Sequence, residues 1–223
     1  MKRLIIIPAA GIGLRFGNAI PKQFTLLSGK PVLMHTMERF SFINGQIILV
    51  LNPSFIDHWK KLCTDFTFTI PHTIVEGGKN RTDSVKNGLA IIQDDGIVAI
   101  HDAVRPLVSR RLIEELFAVA EEKGNAVPAV VVKDSLRKTG NEKNYSVDRN
   151  AYRMIQTPQC FNLNKIKTAY NNLGGKEFTD DASVFETLGE KINLVQGESS
   201  NIKITEAGDL LFAEVLLSAP NAF

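Results

Sequence analysis

The sequence predicts an α/β protein built on a mainly parallel, twisted sheet flanked by helices on both faces. Short runs rich in β-branched residues alternate with amphipathic stretches, which is the pattern of repeated β-α units. The strand-like runs are apolar throughout instead of alternating with polar residues, which indicates burial on both sheet faces. No repeat or linker-like composition divides the chain, so we expect a single domain over residues 1–223 with one projecting β-arm.

Predicted strands and helices alternate in order along the chain. Strands are expected at residues 4–7, 47–51, 72–75, 97–100 and 126–132, and helices from about residue 31 and at residues 54–63, 82–92 and 109–123. The last of these helices has clear end signals. Ser109 is a typical N-cap residue, and Gly124 can adopt the left-handed conformation that ends a helix.

The segment after the last predicted strand breaks this alternation. Eight of the seventeen residues at 133–149 are charged, and Gly140-Asn141 offers a turn between two extended halves. This pattern predicts a projecting hairpin, the β-arm, at about residues 133–152. Because an isolated two-stranded hairpin is marginal in water, we expect the arm to pack against a second subunit. A mobile surface loop is the alternative.

Composition and charge exclude several classes of protein. The 44% hydrophobic and 22% charged fractions are typical of a globular chain and not of disorder, collagen or a coiled coil. Lys and Arg number 26 against 24 Asp and Glu, and this net charge of +2 is too small for a nucleic-acid-coating surface. No nucleic-acid partner is therefore expected, and an anionic ligand must meet a local group of basic residues.

The cysteines and the N-terminal residues indicate the cellular compartment in which the protein is expected. Cys63 and Cys160 are too few for a disulfide framework and lack the paired spacing of a zinc site, which favours a reducing, cytoplasmic location. Residues 1–7 begin like a signal peptide, but Pro8 ends the apolar run after four residues. No run approaches the roughly 20 apolar residues of a membrane span, so no membrane association is expected.

A glycine-rich segment follows the first predicted strand. Three glycines lie within residues 11–17, so backbone N–H groups can approach a ligand closely, and Arg15 and Lys22 are spaced to reach the same anion. This combination predicts a phosphate-binding loop, although a tight turn alone would also account for the glycines. Phe16 stands in place of the third glycine of a dinucleotide-binding fingerprint, and the Gly-Lys-Ser/Thr ending of a Walker loop is absent.

A second polar cluster follows the strand predicted at residues 97–100. Asp102 and Arg105 come at its carboxyl end, where open α/β sheets bind ligands and where the loop after the first strand should also lie. A carboxylate there can hold Mg²⁺ or a hydroxyl, and an exposed Asp–Arg ion pair is the simpler alternative. His101 is expected to be a structural histidine and not a general base.

Two further segments are less specific. The pair Gly77-Gly78 leads into a predicted helix, where backbone groups and the Ser84 hydroxyl can face the edge of a base, although a capped helix would have the same sequence. Lys203 lies between two isoleucines just before the last predicted helix. It is either an edge-strand residue that prevents aggregation or a cation directed into a site.

Taken together and in order, these segments resemble the 2-C-methyl-D-erythritol 4-phosphate cytidylyltransferase family of the non-mevalonate isoprenoid pathway. The resemblance extends over nearly the whole chain, and the ordered set is far more specific than any one motif. The matching segments are Pro8 to Arg15, Pro21-Lys22-Gln23, Gly77-Gly78 to Asp83-Ser84, His101 to Pro106, Asp148-Arg149-Asn150, Thr157-Pro158-Gln159, Thr179-Asp180 and Asn201-Ile202-Lys203.

The resemblance implies a Rossmann-like nucleotidyltransferase fold, a homodimer with exchanged β-arms, and CMP transfer from CTP to 2-C-methyl-D-erythritol 4-phosphate with Mg²⁺ and release of pyrophosphate. The implied site residues fall into three groups. They are Ala9, Ala10, Gly11, Gly13, Gly78 and Ser84 for nucleotide binding; Arg15, Lys22, Arg149 and Lys203 for catalysis; and Asp102, Ala103, Arg105, Ser135 and Arg149 for methylerythritol phosphate, with Ser135 and Arg149 reaching over from the partner's arm.

Two features depart from the family pattern. Ser135 stands where the family commonly has a threonine, and the arm between Ser135 and Arg149 is short. Three other functions stay open at this point. They are a ribitol 5-phosphate cytidylyltransferase, which has a similar fold and arm, a nicotinamide-dependent oxidoreductase, which Phe16 disfavours, and a non-catalytic nucleotide-sensing module.

Overall fold

The computed structural model describes residues 1–11, 21–140, 143–174 and 178–218. Its strands are β1 Lys2–Ala9, β2 Leu26–Leu27, β3 Lys30–Pro31, β4 Gln46–Leu51, β5 Thr73–Glu76, β6 Gly96–Ile100, β7 Asn125–Val131, β8 Leu136–Thr139, β9 Asn144–Val147, β10 Arg153–Ile155, β11 Gln159–Asn162 and β12 Leu194–Gln196. Its helices are α1 Val32–Glu38, α2 Ile56–Asp65, α3 Arg81–Ala90, α4 Arg110–Lys123, α5 Leu163–Asn171, α6 Asp181–Glu186 and α7 Ala207–Ser218.

The central sheet has the strand order β10-β7-β11-β6-β1-β4-β5, with β12 added beside β7. The half that contains β6, β1, β4 and β5 is parallel, as predicted. In the other half, β11 runs antiparallel between β6 and β7, and β10 pairs antiparallel with β7. The α/β architecture is therefore confirmed, and the antiparallel strands are an addition that the sequence analysis did not include.

Helices cover both faces of the sheet, and strand β1 shows this directly. Ile5 and Ile7 are fully buried in a cluster that includes side chains of α1, α2 and α4. Leu4 and Ile6 are buried in a second cluster with side chains of α3, α5 and α6. Because successive side chains of a strand point to opposite faces, an entirely apolar β1 serves both cores.

Helix α4 begins and ends where its sequence predicts. The Ser109 hydroxyl accepts a hydrogen bond from the Leu112 N–H at 3.1 Å, and Gly124 has a φ of +85°. The other predicted strands and helices differ from the observed ones by at most two residues at either end. No helix in the described part of the chain combines the length and apolar character needed to cross a bilayer.

The predicted β-arm is present as a hairpin separate from the central sheet. Among the described strands, β8 and β9 pair only with each other, from Leu136 opposite Val147 to Thr139 opposite Asn144. Gly140 N–H donates to the Lys143 carbonyl at 2.9 Å across the turn, while Asn141 lies outside the described residues. The arm therefore leaves the sheet after β7 and returns to it at β10.

Candidate active site

A cavity lies at the carboxyl ends of the parallel strands. Its walls come from the segments that follow β1, β5 and β6, together with the turn at Lys22–Phe24 and a residue near the C-terminus. The lining residues are Pro8, Ala9, Ala10, Gly11, Lys22, Gln23, Gly78, Lys79, Asn80, Arg81, Ser84, Asp102, Ala103, Val104 and Lys203. The structure thus brings together four segments that the sequence analysis selected separately.

The first wall is the start of the predicted phosphate-binding loop. The Gln23 side-chain amide donates to the Ala9 carbonyl at 2.8 Å and to the Gly11 carbonyl at 3.0 Å, which fixes the backbone on either side of Ala10. Lys22 lines the same cavity from a single 3₁₀ turn. The predicted residues Gly13 and Arg15 lie outside the described residues.

The second wall is the turn before α3. The Ser84 hydroxyl accepts from the Gly78 N–H at 3.1 Å and donates to the Asn80 carbonyl at 2.8 Å, so it holds the turn closed. The Asn80 side chain caps the helix by accepting from the Asp83 N–H at 2.8 Å. A Cβ at Gly77 would lie 2.3 Å from the Ala10 Cβ, so this turn is pressed against the first wall.

The third wall is a carboxylate surrounded by cations. Asp102 faces Lys203 Nζ at 3.0 Å and Arg105 Nε at 3.2 Å, with Arg81 Nε at 3.9 Å. Its side chain is only 12% exposed, so the interpretation as an exposed surface pair is wrong. Burial by itself would raise the pKa of the Asp102 carboxyl, but Lys203, Arg81 and Arg105 hold that pKa well below its usual range.

Lys203 is therefore a site cation and not an edge-strand residue. Residues 201–204 form no strand, and the Lys203 ammonium points to Asp102. Arg105 also contacts the Asp102 carboxylate, but it is not among the residues that line the cavity. Its guanidinium also donates to the Asn201 carbonyl at 2.7 Å, which ties Asp102 to the segment carrying Lys203.

Arg81 is a site residue to which the sequence analysis gave no role. Its two terminal nitrogens donate to the Asp181 carboxylate at 3.0 and 2.6 Å, which leaves Nε turned toward Asp102. Tyr170 donates to the same carboxylate at 2.5 Å, and Asp181 is fully buried. Burial alone would lower the pKa of Arg81, but Asp181 and Asp102 raise it above the ordinary value, so the guanidinium stays charged. Asp181 comes 100 residues after Arg81 in the sequence, so no local sequence pattern predicts this ion pair.

His101 is a structural residue, in agreement with the sequence analysis. It is fully buried, and burial lowers its pKa to about 4. Its Nε2 donates to the Arg105 carbonyl at 3.0 Å, so its Nδ1 accepts from the Thr157 hydroxyl at 3.1 Å. The Thr157 oxygen in turn accepts from the Asp102 N–H at 3.0 Å. The ring therefore holds Thr157 and, through it, the backbone N–H of Asp102.

Residues 4–219 match the family model of 2-C-methyl-D-erythritol 4-phosphate cytidylyltransferase. The chain belongs to this family. A 2-C-methyl-D-erythritol 4-phosphate cytidylyltransferase from Phocaeicola vulgatus is 45% identical over 219 residues, which are 97% of this chain and 100% of the relative. One from Clostridium perfringens is 41% identical over 221 residues, covering 96% and 97% of the two chains.

Solved structures of these cytidylyltransferases share the fold. The enzyme from Thermus thermophilus superposes with a TM-score of 0.84 at 32% identity, covering 98% of this chain and 100% of that one. A 4-diphosphocytidyl-2C-methyl-D-erythritol synthase from Anaerococcus prevotii gives a TM-score of 0.84 at 29% identity, covering 98% and 96%. The Rossmann-like nucleotidyltransferase fold is therefore confirmed.

Two predicted residues of the cytidylyltransferase site lie away from the cavity of their own chain. Ser135 and Arg149 are exposed on the β-arm and are not among the cavity-lining residues. Arg149 donates to the Lys133 carbonyl at the base of the arm. The described part of the chain therefore brings together the predicted nucleotide residues and the Asp102 cluster, which consists of Asp102, Lys203, Arg105 and Arg81. It does not bring the arm residues to this site.

Proposed function

We propose that the protein transfers CMP from CTP to 2-C-methyl-D-erythritol 4-phosphate, forming 4-diphosphocytidyl-2-C-methyl-D-erythritol and pyrophosphate. The main support for this proposal is the cavity, which lies in a chain of the cytidylyltransferase family. A backbone loop with Lys22, a turn that can face a base, and the Asp102 cluster all open onto it. The named relatives favour this activity over transfer to ribitol 5-phosphate and over a nicotinamide-dependent oxidation.

The reaction is an in-line displacement that needs no general base. A phosphate monoester has its second pKa near 6, so the attacking oxygen is already largely anionic at neutral pH. That oxygen bonds to the α-phosphorus of CTP, the bond to the β-phosphate oxygen breaks, and pyrophosphate leaves with the electron pair. A buried, neutral His101 is consistent with this chemistry, because no proton has to be removed.

The work of the site is therefore to offset negative charge. We assign Lys22, together with Arg15 from the sequence, to the charge that develops on the α-phosphate and on the leaving pyrophosphate. Lys203 neutralises the reacting phosphates from the third wall, where its ammonium lies 3.0 Å from the Asp102 carboxylate. Backbone N–H groups of the first loop add fixed dipoles, and preorganised donors of this kind cost no rearrangement during the reaction.

We propose Mg²⁺ as the cation that accompanies CTP. Among the described residues, no three His, Cys, Asp or Glu side chains group into a metal site, and Asp102 is the carboxylate that lines the cavity. This donor set fits Mg²⁺ because that ion usually binds through one or two carboxylates and substrate phosphates. Asp102 would hold it, and when bound it would neutralise phosphate charge.

We propose that two chains exchange their β-arms in a homodimer. Within the described residues, strands β8 and β9 of the arm pair with no other strand, and Tyr145 and Tyr152 on the arm are 53% and 47% exposed. In such a dimer, Arg149 and Ser135 would meet methylerythritol phosphate beside Asp102, Ala103 and Arg105 of the other subunit. Free Cys63 and Cys160 fit a reducing compartment, and we propose the cytoplasm.

The test is pyrophosphate release from CTP and Mg²⁺ with each candidate acceptor offered alone. Methylerythritol phosphate should support rapid release, and ribitol 5-phosphate should support little. Replacing CTP by ATP, GTP or UTP tests the preference for the cytosine base. A fall in NADH absorbance on adding enzyme and acceptor would indicate the oxidoreductase alternative. Rapid release with ribitol 5-phosphate, or none with methylerythritol phosphate, would contradict the assignment.

A further inference from the structure

Gln23 joins two parts of the cavity that the reaction must hold at a fixed separation. It is 3% exposed and lies on the 3₁₀ turn Lys22–Phe24, directly after Lys22. Its side-chain nitrogen donates to the Ala9 carbonyl at 2.8 Å and to the Gly11 carbonyl at 3.0 Å. Both protons of the amide are therefore used on the backbone of the first loop.

These two bonds orient the peptide groups of the loop. A peptide unit is planar, so holding the Ala9 carbonyl also holds the N–H of Ala10, which belongs to the same unit. Ala10 and Gly11 both line the cavity. The Gln23 side chain thus fixes the direction of the Ala10 N–H group.

The turn that carries Gln23 is itself anchored. Phe24 is 4% exposed, and its ring lies 5.8 Å from Phe55, 5.1 Å from His58 and 6.4 Å from Trp59, measured between centroids. Lys22 therefore extends from a turn fixed on one side by aromatic packing and on the other by Gln23. A shift of the turn would move the cation and the loop relative to each other.

We propose that Gln23 is a positioning residue for phosphoryl transfer, which sets the Lys22 ammonium and the backbone N–H of Ala10 at the separation that the triphosphate of CTP requires. This proposal rests on the proposed function. Misplacement of reacting groups by about 1 Å costs on the order of 10²-fold in rate, so small movements of this turn are sufficient to matter.

Two substitutions of similar size to glutamine provide the test. Gln23→Met removes both donors without adding charge, and kcat/KM for CTP should fall roughly tenfold to a hundredfold, with kcat lower and the KM for methylerythritol phosphate unchanged. Gln23→Glu places a carboxylate against two carbonyl oxygens, which favours the protonated form and raises its pKa. The protonated acid can donate one hydrogen bond, so this variant should recover activity relative to wild type as the pH falls from 8 to 6.

Gln46→Glu is the matched control. Gln46 is an exposed residue at the start of β4 whose amide donates to the Thr73 hydroxyl at 3.3 Å, so the same substitution there should leave the pH profile unchanged. Calorimetric titration with CTP alone follows the nucleotide separately from the acceptor. Wild-type enzyme is assayed in parallel, and an inactive wild type would contradict the proposed function and not the role of Gln23.

The outcomes separate positioning from simple structural support. Lower melting temperatures with unchanged kcat/KM and CTP affinity in the folded variants would overturn the proposal, as would a Gln23→Glu pH profile parallel to wild type. If neither variant folds at any pH, Gln23 is a structural residue and the proposal is wrong. A CTP-specific loss, partly reversed at low pH in Gln23→Glu alone, supports it.

Discussion

Asp102→Asn is an informative perturbation of this protein, because it removes one charge with almost no change in shape. The carboxylate faces Lys203 at 3.0 Å, Arg105 at 3.2 Å and Arg81 at 3.9 Å. Of these cations, Arg81 keeps a second carboxylate, that of Asp181. In the variant, Lys203 and Arg105 lose the carboxylate that holds them together.

The size of the effect follows from burial. Removing one member of a buried ion pair costs about 3–5 kcal/mol, because the other charge is left uncompensated. Lys203 is 42% exposed and can turn toward solvent, which places the expected loss near the lower end, at about 3 kcal/mol. In a chain of 223 residues, such a loss lowers Tm by about 6–12 °C.

The loss should depend on pH in a defined direction. The pKa of Asp102 lies below the value of about 4 for an unfolded aspartate, so its contribution to stability is complete above that pH. The contribution disappears as the pH falls through the lower pKa of the folded state. The stability difference between wild type and variant should therefore be constant from about pH 5 to pH 8 and should shrink below about pH 4.

Asp102→Asn should strengthen anion binding at this site although it lowers the stability of the fold. The cluster of Arg81, Arg105, Lys203, Asp102 and Asp181 contains three cations and two carboxylates, so the substitution makes it more positive by one charge. In the absence of Mg²⁺, pyrophosphate should then bind more tightly to the variant. Turnover with Mg²⁺ should fall, since Asp102 can neither hold the metal nor orient the acceptor.

Urea unfolding at several pH values and calorimetric titration with pyrophosphate measure both effects. Asp94→Asn is the control, because Asp94 forms an exposed pair with Lys2 in which its side chain is 46% exposed. Such surface pairs contribute about 0–1 kcal/mol. If Asp102→Asn is no less stable than Asp94→Asn at pH 7, or binds pyrophosphate more weakly than wild type, the electrostatic reasoning fails.

Three further predictions follow from the site and the arm. Lys22→Ala, and likewise Arg15→Ala, should lower kcat by roughly 10²–10³ in steady-state assays while circular dichroism and Tm stay near wild type. Arg149→Ala should raise the KM for methylerythritol phosphate with CTP affinity nearly unchanged, and Arg149→Lys should recover only part of the loss. Each heterodimer of an Arg149→Ala and a Lys22→Ala subunit should have about half of the wild-type activity per dimer. Tyr170→Phe should lower the free energy of unfolding in urea by about 1.5–3 kcal/mol, since Asp181 loses a buried hydrogen bond of 2.5 Å.

Each of these predictions has a distinct contrary result. Normal turnover in a folded Lys22→Ala enzyme would remove that lysine from the reaction. Mixed dimers without recovered activity, after heterodimers have been demonstrated, would place Arg149 in its own subunit or outside the site. An unchanged urea midpoint in Tyr170→Phe would show that Asp181 does not depend on the phenol.

The parts of the fold that the sequence predicts are those with local causes. Helix α4 is an example, because Ser109 and Gly124 are signals read at the helix ends themselves. The parallel strands are predicted because burial on both faces requires uninterrupted apolar runs such as Leu4–Ile7. Strand β11 was not predicted, since its place between β6 and β7 depends on partners more than 25 residues away in sequence.

The residues of the candidate site likewise fall into those with local sequence signals and those without. Asp102 follows the end of β6, and Lys22 follows the glycine-rich segment after β1. Both are positions with a general meaning in α/β sheets. Arg81 and Gln23 gain their roles from groups that no spacing rule connects to them. Arg81 is held by Asp181 from α6, and Gln23 acts on backbone carbonyls, which have no signature in the sequence.

The contact between Gly77 and Ala10 restricts how this site can diverge. The turn that would face the base and the loop that would hold the phosphates touch directly, because a methyl group at position 77 would come within 2.3 Å of the Ala10 side chain. A larger residue at either position displaces the other segment, so the two ends of the nucleotide site cannot be remodelled one at a time. A library that introduces side chains at position 77 to alter base preference therefore needs to vary position 10 with it.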